Sequence, residues 1–369
     1  MTTRSKETLT AIGFLAPNFL GFLAFTSLPV VLSLLGSFST WSLQASVPLE
    51  FVGLENYKRL FQDRYFIFYF FNTLYLLSAL PFSIFCSLLA AVYLSEKFSF
   101  RNPSNNSRSA WICLGITITA TGVLVISGFP DAGYFLFALG AIIALGFRFG
   151  SVCYRTVFYL PHFTAGAATI LLWAQLYNPD FGFINSVLRS AFDILGLEGE
   201  VPTWLRSTKS LLGFLPLPDY FNNGGFGLGA REAIMIMGLW AGIGGTHMLL
   251  YLAGISNIPQ ELYEAADIDG ANWHQKLRYI TIPQLAPVTF FLVVTGVIGG
   301  LQGGFEAVRL MTGGGPAGTT TTLVYYIYQQ GFERFDMAYG SAIAWVLFVI
   351  IFALTLVNWR YGREAHDFV

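Results

Sequence analysis

Side chains able to make or break bonds are present in this chain but nowhere converge. The four histidines, His162, His247, His274 and His366, are scattered over different segments, with no acidic or nucleophilic residue at a ligand-like or triad-like spacing. Cys86, Cys113 and Cys153 sit in or beside apolar runs without CxxC or Cys/His spacing, so they read as small buried hydrophobes. No catalytic set, redox pair or metal site is expected. No Walker sequence occurs either. The glycine-rich Gly313-Gly314-Gly315-Pro316 lacks the Gly-Lys-Ser/Thr ending of a phosphate loop and reads as a bend. A proton-coupled carrier would need an intramembrane carboxylate relay, and the apolar stretches offer little beyond Glu306 near an end.

What is patterned is the polar segment 261–283, ELYEAADIDGANWHQKLRYITIP. Glu264-Ala265-Ala266 is followed after three residues by Gly270, and after nine more by Ile280-Thr281-Ile282-Pro283. Pro259 stands where a helix begins, Ser256 and Asn257 offer capping side chains, and Glu261 and Glu264 suit the positive end of the dipole. Leu262, Ala265, Ala266 and Asp269 fall on one helical face, where the two alanines let a neighbouring surface come close. Gly270 frees the backbone to turn, and residues 272–279 are expected to form a second short helix ending before Pro283. A short, stiff, small-faced helix suits docking into a protein groove. Transmitting force through it needs rigidity and no catalytic group.

The elements that must position this segment are membrane helices. Hydrophobic residues make up 54% of the 369 residues and charged residues 11%, and the mean hydropathy is +0.59. A soluble domain carries about 25% charged residues, so the chain belongs to the membrane class. Its net charge of −1 gives no reason to expect nucleic acid. A bilayer core takes about 20 helical residues to cross, and such runs fall at 9–38, 66–94, 110–128, 132–147, 158–176, 233–255, 285–302 and 338–358. The fourth is short for a crossing. The amino end, with Arg4 and Lys6 before its apolar run, lacks a small-residue cleavage site and reads as an uncleaved first helix.

With the amino end inside, eight crossings put Lys97, Arg101, Arg108, Arg148, Arg155, Lys276, Arg278, Arg360 and Arg363 in the cytoplasm together with both termini. The outer segments then hold Lys58, Arg59, Arg64, Arg189, Arg206, Lys209, Arg231, Arg309 and Arg334, mostly in long loops that the positive-inside rule discounts. Two of these outer segments carry helices of their own. Residues 53–61 suit a short amphipathic helix, and 183–195 have apolar residues at helical spacing within the long loop 178–231.

The segment 261–283 resembles the EAA loop of binding-protein-dependent ABC importer permeases, EAA–x3–G–x9–I–x–L–P, with Ile282 in the Leu place. Other stretches extend the resemblance in the same order along nearly the whole chain. Asn178-Pro179-Asp180-Phe181-Gly182-Phe183-Ile184-Asn185 is similar to the NPDFGxIN segment of sugar permeases. Met311-Thr312-Gly313-Gly314-Gly315-Pro316 is similar to their MTGGGP, and Tyr326-Ile327-Tyr328 with Phe335-Asp336-Met337-Ala338-Tyr339-Gly340-Ser341-Ala342 to the approach to their last helix. The subgroup implied is the first permease subunit of carbohydrate (maltose-type and glycerol-phosphate-type) importers.

The resemblance implies an all-α polytopic protein of the type I ABC importer transmembrane fold, with six core helices, in a bacterial or archaeal inner membrane. Residues 1–65 would hold the first helix and an outer segment, 66–360 the permease domain, and 256–287 the cytoplasmic coupling loop. Glu264, Ala265, Ala266, Asp269, Gly270, Ile280 and Pro283 would then couple the chain to an ATPase. It further implies a second permease subunit, two ATP-binding subunits holding the ATP and Mg, and an extracytoplasmic solute-binding protein delivering a sugar or sugar derivative. This chain itself would bind no cofactor. One departure stands out: Arg155-Thr156-Val157-Phe158-Tyr159-Leu160-Pro161 matches the RTxxFLP-like start of the third core helix, but two extra apolar runs joined at residues 128–131 precede it. They read as an inserted hairpin over 98–152, and an even number of added crossings keeps the downstream orientation.

Polar groups inside a membrane bundle are expensive, so Asn72, Trp240, Thr246, His247, Gln302 and Glu306 are the candidates for lining a solute pathway. The resemblance places that pathway at the helices flanking the EAA-like loop, 233–255 and 285–302. There Trp240 suits stacking on a sugar ring, and Gln302 suits hydrogen bonding to it.

Overall fold

Helix is the regular structure that dominates the described residues, alongside two isolated bridges, Ser39–Phe51 and Ser210–Phe226. Lipid offers the backbone no partners, so apolar runs must close their own hydrogen bonds. A computed structural model of the chain describes residues 3–44, 46–95, 107–149, 151–164, 166–215 and 224–366. The first helices are α1 (Thr3–Phe22), α2 (Leu28–Ser37), α3 (Glu55–Gln62), α4 (Arg64–Leu77) and α5 (Ala79–Leu94). Then come α6 (Ser107–Ile126), α7 (Pro130–Phe149), α8 (Ser151–Phe163), α9 (Gly166–Leu176) and α10 (Phe183–Leu195). The second half holds α11 (Ala230–Ile243), α12 (Thr246–Asn257), α13 (Gln260–Ile268), α14 (Trp273–Lys276), α15 (Ile282–Gln284), α16 (Ala286–Gln302), α17 (Phe305–Ala307), α18 (Leu323–Tyr328) and α19 (Met337–His366).

Among the described residues, six stretches are long and apolar enough to cross a membrane: Ile12–Ser37, Arg64–Leu94, Ser109–Ile126, Ala230–Asn257, Ala286–Thr312 and Met337–Arg360. The run 158–176, expected as one crossing, is instead divided between α8 and α9, which meet at 98°. Pro161 withdraws an N–H from the last turn of α8, which weakens the helix just before the break. The apolar part of α7, Pro130–Gly146, is shorter than the other spans.

The chain divides into two compact units. One comprises Met1–Ile67 and Leu323–Phe352, the other Phe68–Thr322 and Ala353–Val369. In the first unit, α3 is the amphipathic helix expected at that place. Its Asn56 amide donates to the Ser37 and Ser39 carbonyls at 2.9 Å each. Beside it, Asp63 accepts hydrogen bonds from Tyr326 (2.5 Å) and Tyr339 (2.6 Å), and Arg59 pairs with Asp336 at 2.7 Å. Burial, then the bond to Asp63, raises the Tyr326 phenol well above its ordinary pKa, which keeps it a donor.

The core of the second unit gathers Ala91, Val92 and Leu94 from α5, Met248, Tyr251 and Ile255 from α12, Tyr263 from α13, and Leu285 and Leu292 beside or in α16. The α6–α7 hairpin is antiparallel and closely packed. A Cβ on Gly140 would run into the Thr117 side chain, and Thr121 Oγ1 donates to the Gly133 carbonyl at 3.1 Å. Small residues bring helices this close in lipid, where packing replaces the hydrophobic drive. At the hairpin tip Asp131 accepts a hydrogen bond from Ser186 of α10, and Phe135 meets Phe183 with ring centroids 6.3 Å apart. The segment 96–106, which holds most of the stretch 98–109 expected on the cytoplasmic side, lies outside the described residues.

Candidate functional site

The polar loop between α12 and α16 is closed by local caps. α13 ends in a Schellman arrangement: Ala271 N–H donates to the Ala266 carbonyl at 2.8 Å and Gly270 N–H to the Asp267 carbonyl at 3.1 Å. Gly270 takes φ +74°, open to glycine at little cost. Two residues on, Asn272 opens α14 with a reciprocal capping box. Its side chain accepts from Gln275 N–H at 3.0 Å, and Gln275 Oε1 accepts from Asn272 N–H at 2.7 Å. An ion pair between Lys276 and Asp267 ties the two helices together.

Two expectations for this loop are corrected. Ser256 and Asn257 do not cap α13, because α12 runs on through Asn257 and the Ser256 hydroxyl turns back to the Leu252 carbonyl at 2.9 Å. The second helix does not stop before Pro283. It passes from α14 through a π-helical turn at Leu277–Thr281 into α15, whose first turn holds Pro283. The proline lacks an N–H and crowds the carbonyl four residues back, so a widened turn lets the helix continue.

Glu264, Ala265, Asp269 and Gly270 are exposed on this loop, as is Pro283, while Ala266 and Ile280 are half-buried. Ile280 packs against the bundle core. Ile268, at the tip of α13, is 88% exposed, and Leu262 is exposed on the same helix. Tyr263 is the buried residue of α13, and burial raises its phenol pKa.

Between α5, α11, α12 and α16 lies a cavity of about 370 Å³, lined by Ser83, His247 and Thr295 and walled largely by glycine, including Gly242, Gly296 and Gly299. Small-molecule sites commonly measure about 300–1,000 Å³. Of the six pathway candidates, His247 alone is among this cavity's lining residues, 3.5 Å from Ser83 Oγ. Trp240 is 40% exposed and sits edge-on to Trp173 at 5.4 Å between centroids. Gln302 is exposed at the end of α16, Thr246 is exposed at the start of α12, and Glu306 on α17 lies against Gly166 of α9.

Asn72 is fully buried, and its amide donates to the Gly318 and Thr321 carbonyls at 2.9 and 3.1 Å. Its oxygen accepts from Arg231 at 2.8 Å, and Arg231 Nε reaches the Thr319 carbonyl at 2.8 Å. Sequence reasoning counted Arg231 as an outer-loop charge. In the structure it is 2% exposed in the first turn of α11, with the rings of Phe68, Phe71 and Tyr75 5.5–5.8 Å away. Glu232 beside it accepts from Tyr75, from Leu211 N–H (2.9 Å) and from Gly229 N–H (3.0 Å). The glycine-rich bend at 313–316 is tied down by the same region's threonines, Thr320 to the Gly315 carbonyl (2.8 Å) and Thr321 to that of Gly314 (3.1 Å). The available signal was an adjacent Arg-Glu pair opening an apolar run.

The chain belongs to the family of binding-protein-dependent transport system inner membrane components, whose model matches residues 136–360. It is accordingly a multi-pass inner-membrane permease subunit of an ABC importer. It is 29% identical over 358 residues to the probable ABC transporter permease protein YesP of Bacillus subtilis, covering 96% of this chain and 91% of that one. The sn-glycerol-3-phosphate transport system permease protein UgpA of Yersinia enterocolitica is 30% identical, covering 85% and 80%. A bacterial alginate ABC transporter, in complex with an alginate pentasaccharide-bound periplasmic protein, has a chain of the same fold. Its TM-score is 0.65 at 21% identity, covering 97% of this chain and 96% of that chain.

Proposed function

We propose that this subunit forms the pathway for a sugar or sugar derivative and is driven through the loop carrying Glu264, Ala265, Ala266, Asp269, Gly270, Ile280 and Pro283. The observation that carries the reading is continuity: the capped loop runs through α15 directly into α16, and α16 contributes Thr295, Gly296 and Gly299 to the cavity wall. The cavity lining combines the Ser83 and Thr295 hydroxyls and the His247 imidazole with glycine backbone and the apolar Ala79, Leu80 and Leu239, and holds no carboxylate, lysine or arginine, which suits an uncharged solute with both polar and apolar faces, such as a sugar. Trp240 and Gln302 would meet the same solute outside that lining, Trp240 by stacking and Gln302 by hydrogen bonding. The exposed apolar tip and carboxylates of α13 suit a groove on an ATP-binding subunit with a basic rim. A second permease subunit, two ATP-binding subunits and a solute-binding protein complete the assembly, and the chain itself has no nucleotide motif.

In reconstituted vesicles, the isolated chain is expected to show only background ATP turnover, and the full complex solute-stimulated hydrolysis with uptake. Trp240→Ala and Gln302→Ala should each weaken uptake while leaving assembly intact. ATPase activity that survives removal of the partner subunits would overturn the reading, and normal transport by both variants would remove these two residues from the pathway.

With both termini cytoplasmic, the loop 256–287 faces the cytoplasm and the tip of the α6–α7 hairpin faces outward. A cysteine at Asp131 in a background without native cysteines should react with an impermeant maleimide added outside sealed cells. Reaction from the cytoplasmic side alone would mean that the two hairpin helices do not both cross.

A further inference from the structure

We infer that two tyrosine–threonine pairs, Tyr263–Thr281 and Tyr251–Thr289, lock the arm of the loop that leaves the membrane to the arm that re-enters it, so that docking helix and cavity wall move as one body. The inference rests on the coupling reading above and names residues that reading did not include. Tyr263 OH meets Thr281 Oγ1 at 2.9 Å, with Thr281 fully buried. Tyr251 OH meets Thr289 Oγ1 at 3.0 Å, and Tyr251 is likewise fully buried. Both pairs join the α12–α13 arm to the arm formed by the π-helical turn, α15 and α16.

One cross-link would be a pivot, whereas two separated along an axis remove the swivel. Thr281 and Thr289 are eight residues apart, about 12 Å of helix. The backbone between them is continuously bonded, Leu285 N–H to the Thr281 carbonyl at 3.0 Å and Thr289 N–H to the Leu285 carbonyl at 2.9 Å. The gap between the rungs is filled: a Cβ on Gly254 of α12 would stand 2.7 Å from the Leu285 side chain and 3.2 Å from Val288. Glycine there lets the arms touch. Each threonine also faces a carbonyl of its own helix, Lys276 at 3.4 Å and Leu285 at 3.0 Å. Tyr→Phe therefore deletes a rung and leaves no orphaned hydroxyl, so the variants should fold and assemble.

The test uses the assembled complex in lipid nanodiscs with spin labels on Gln260→Cys and Phe291→Cys, exposed positions on α13 and α16, in a background without native cysteines. With both rungs present, the inter-label distance should be the same in nucleotide-free and vanadate-trapped states. In Tyr251→Phe/Tyr263→Phe it should differ between those states. The ATP hydrolysed per solute imported should rise about threefold in either single variant, the factor matching the ~0.6 kcal/mol average of an interhelical hydrogen bond in lipid, and further in the double. An unchanged distance and stoichiometry in the double variant, with Gly270→Pro still uncoupled, would overturn the rungs and leave the coupling reading standing. Normal coupling in Gly270→Pro would overturn both.

Discussion

Gly270→Pro is expected to abolish solute-stimulated ATP hydrolysis and uptake by the assembled importer while the chain still inserts in the membrane. Proline holds φ near −65°, and Gly270 needs +74°. The substitution also removes the N–H that donates to the Asp267 carbonyl at 3.1 Å. The Schellman closure of α13 fails, at about 3 kcal/mol or more, or roughly 100-fold in the population of the capped loop. Gly270→Ala separates strain from the lost bond. Nothing stands within 4 Å of a Cβ placed there, so only the left-handed backbone is penalised, at about 1–2 kcal/mol, and an intermediate loss is expected. Glu264→Ala should leave stability unchanged, because the side chain is exposed, but weaken engagement of the ATP-binding subunit. Normal stimulated hydrolysis and uptake in both Gly270→Pro and Glu264→Ala would reject this loop as the coupling element.

Arg231→Met should destabilise the subunit more than any other single change considered. The guanidinium is buried, donates to the Thr319 carbonyl and the Asn72 oxygen, and stands beside buried Glu232. Removing one member of a buried charge network strands the rest, at about 3–5 kcal/mol, which in a chain of this size lowers the melting temperature by about 10 °C. Arg231→Met/Glu232→Gln should lose less than the sum of the two single variants, since no unpaired carboxylate remains. Thermal unfolding of the detergent-solubilised complex reads this directly. An unaltered melting temperature for Arg231→Met would show that the network holds nothing together.

What could be read from sequence alone was what is encoded locally. The turn at Gly270 and the helices on either side of it follow from residues a few positions apart, and Asn272 with Gln275 carried a capping-box spacing that went unused. Local signals also misled: Ser256 is a good capping residue, yet α12 continues past it, and Pro283 marks an expected stop that the π-helical turn at Leu277–Thr281 carries through. Pairings across the chain were invisible. Asn72 and Arg231 are 159 residues apart, so the first read as a pathway polar group and the second as a surface charge. Tyr263 was hidden for the same reason, since its partner Thr281 lies on the other arm. The 98° meeting of α8 and α9 has no counterpart in hydropathy, which records how apolar a run is and nothing of its direction.

The back-to-back caps at Gly270 and Asn272 bear on the entropy of assembly. Ordering one flexible residue costs about 1–2 kcal/mol, and a loop that folded only on meeting its partner would lose that amount several times over. Here the dihedrals around Gly270 and Asn272 are already set by bonds within the loop itself. On the proposed coupling reading, the free energy released by an ATP-binding subunit closing over Ile268 would then be left to act on the membrane-embedded arms, as distortion of the bundle rather than as ordering of the contact.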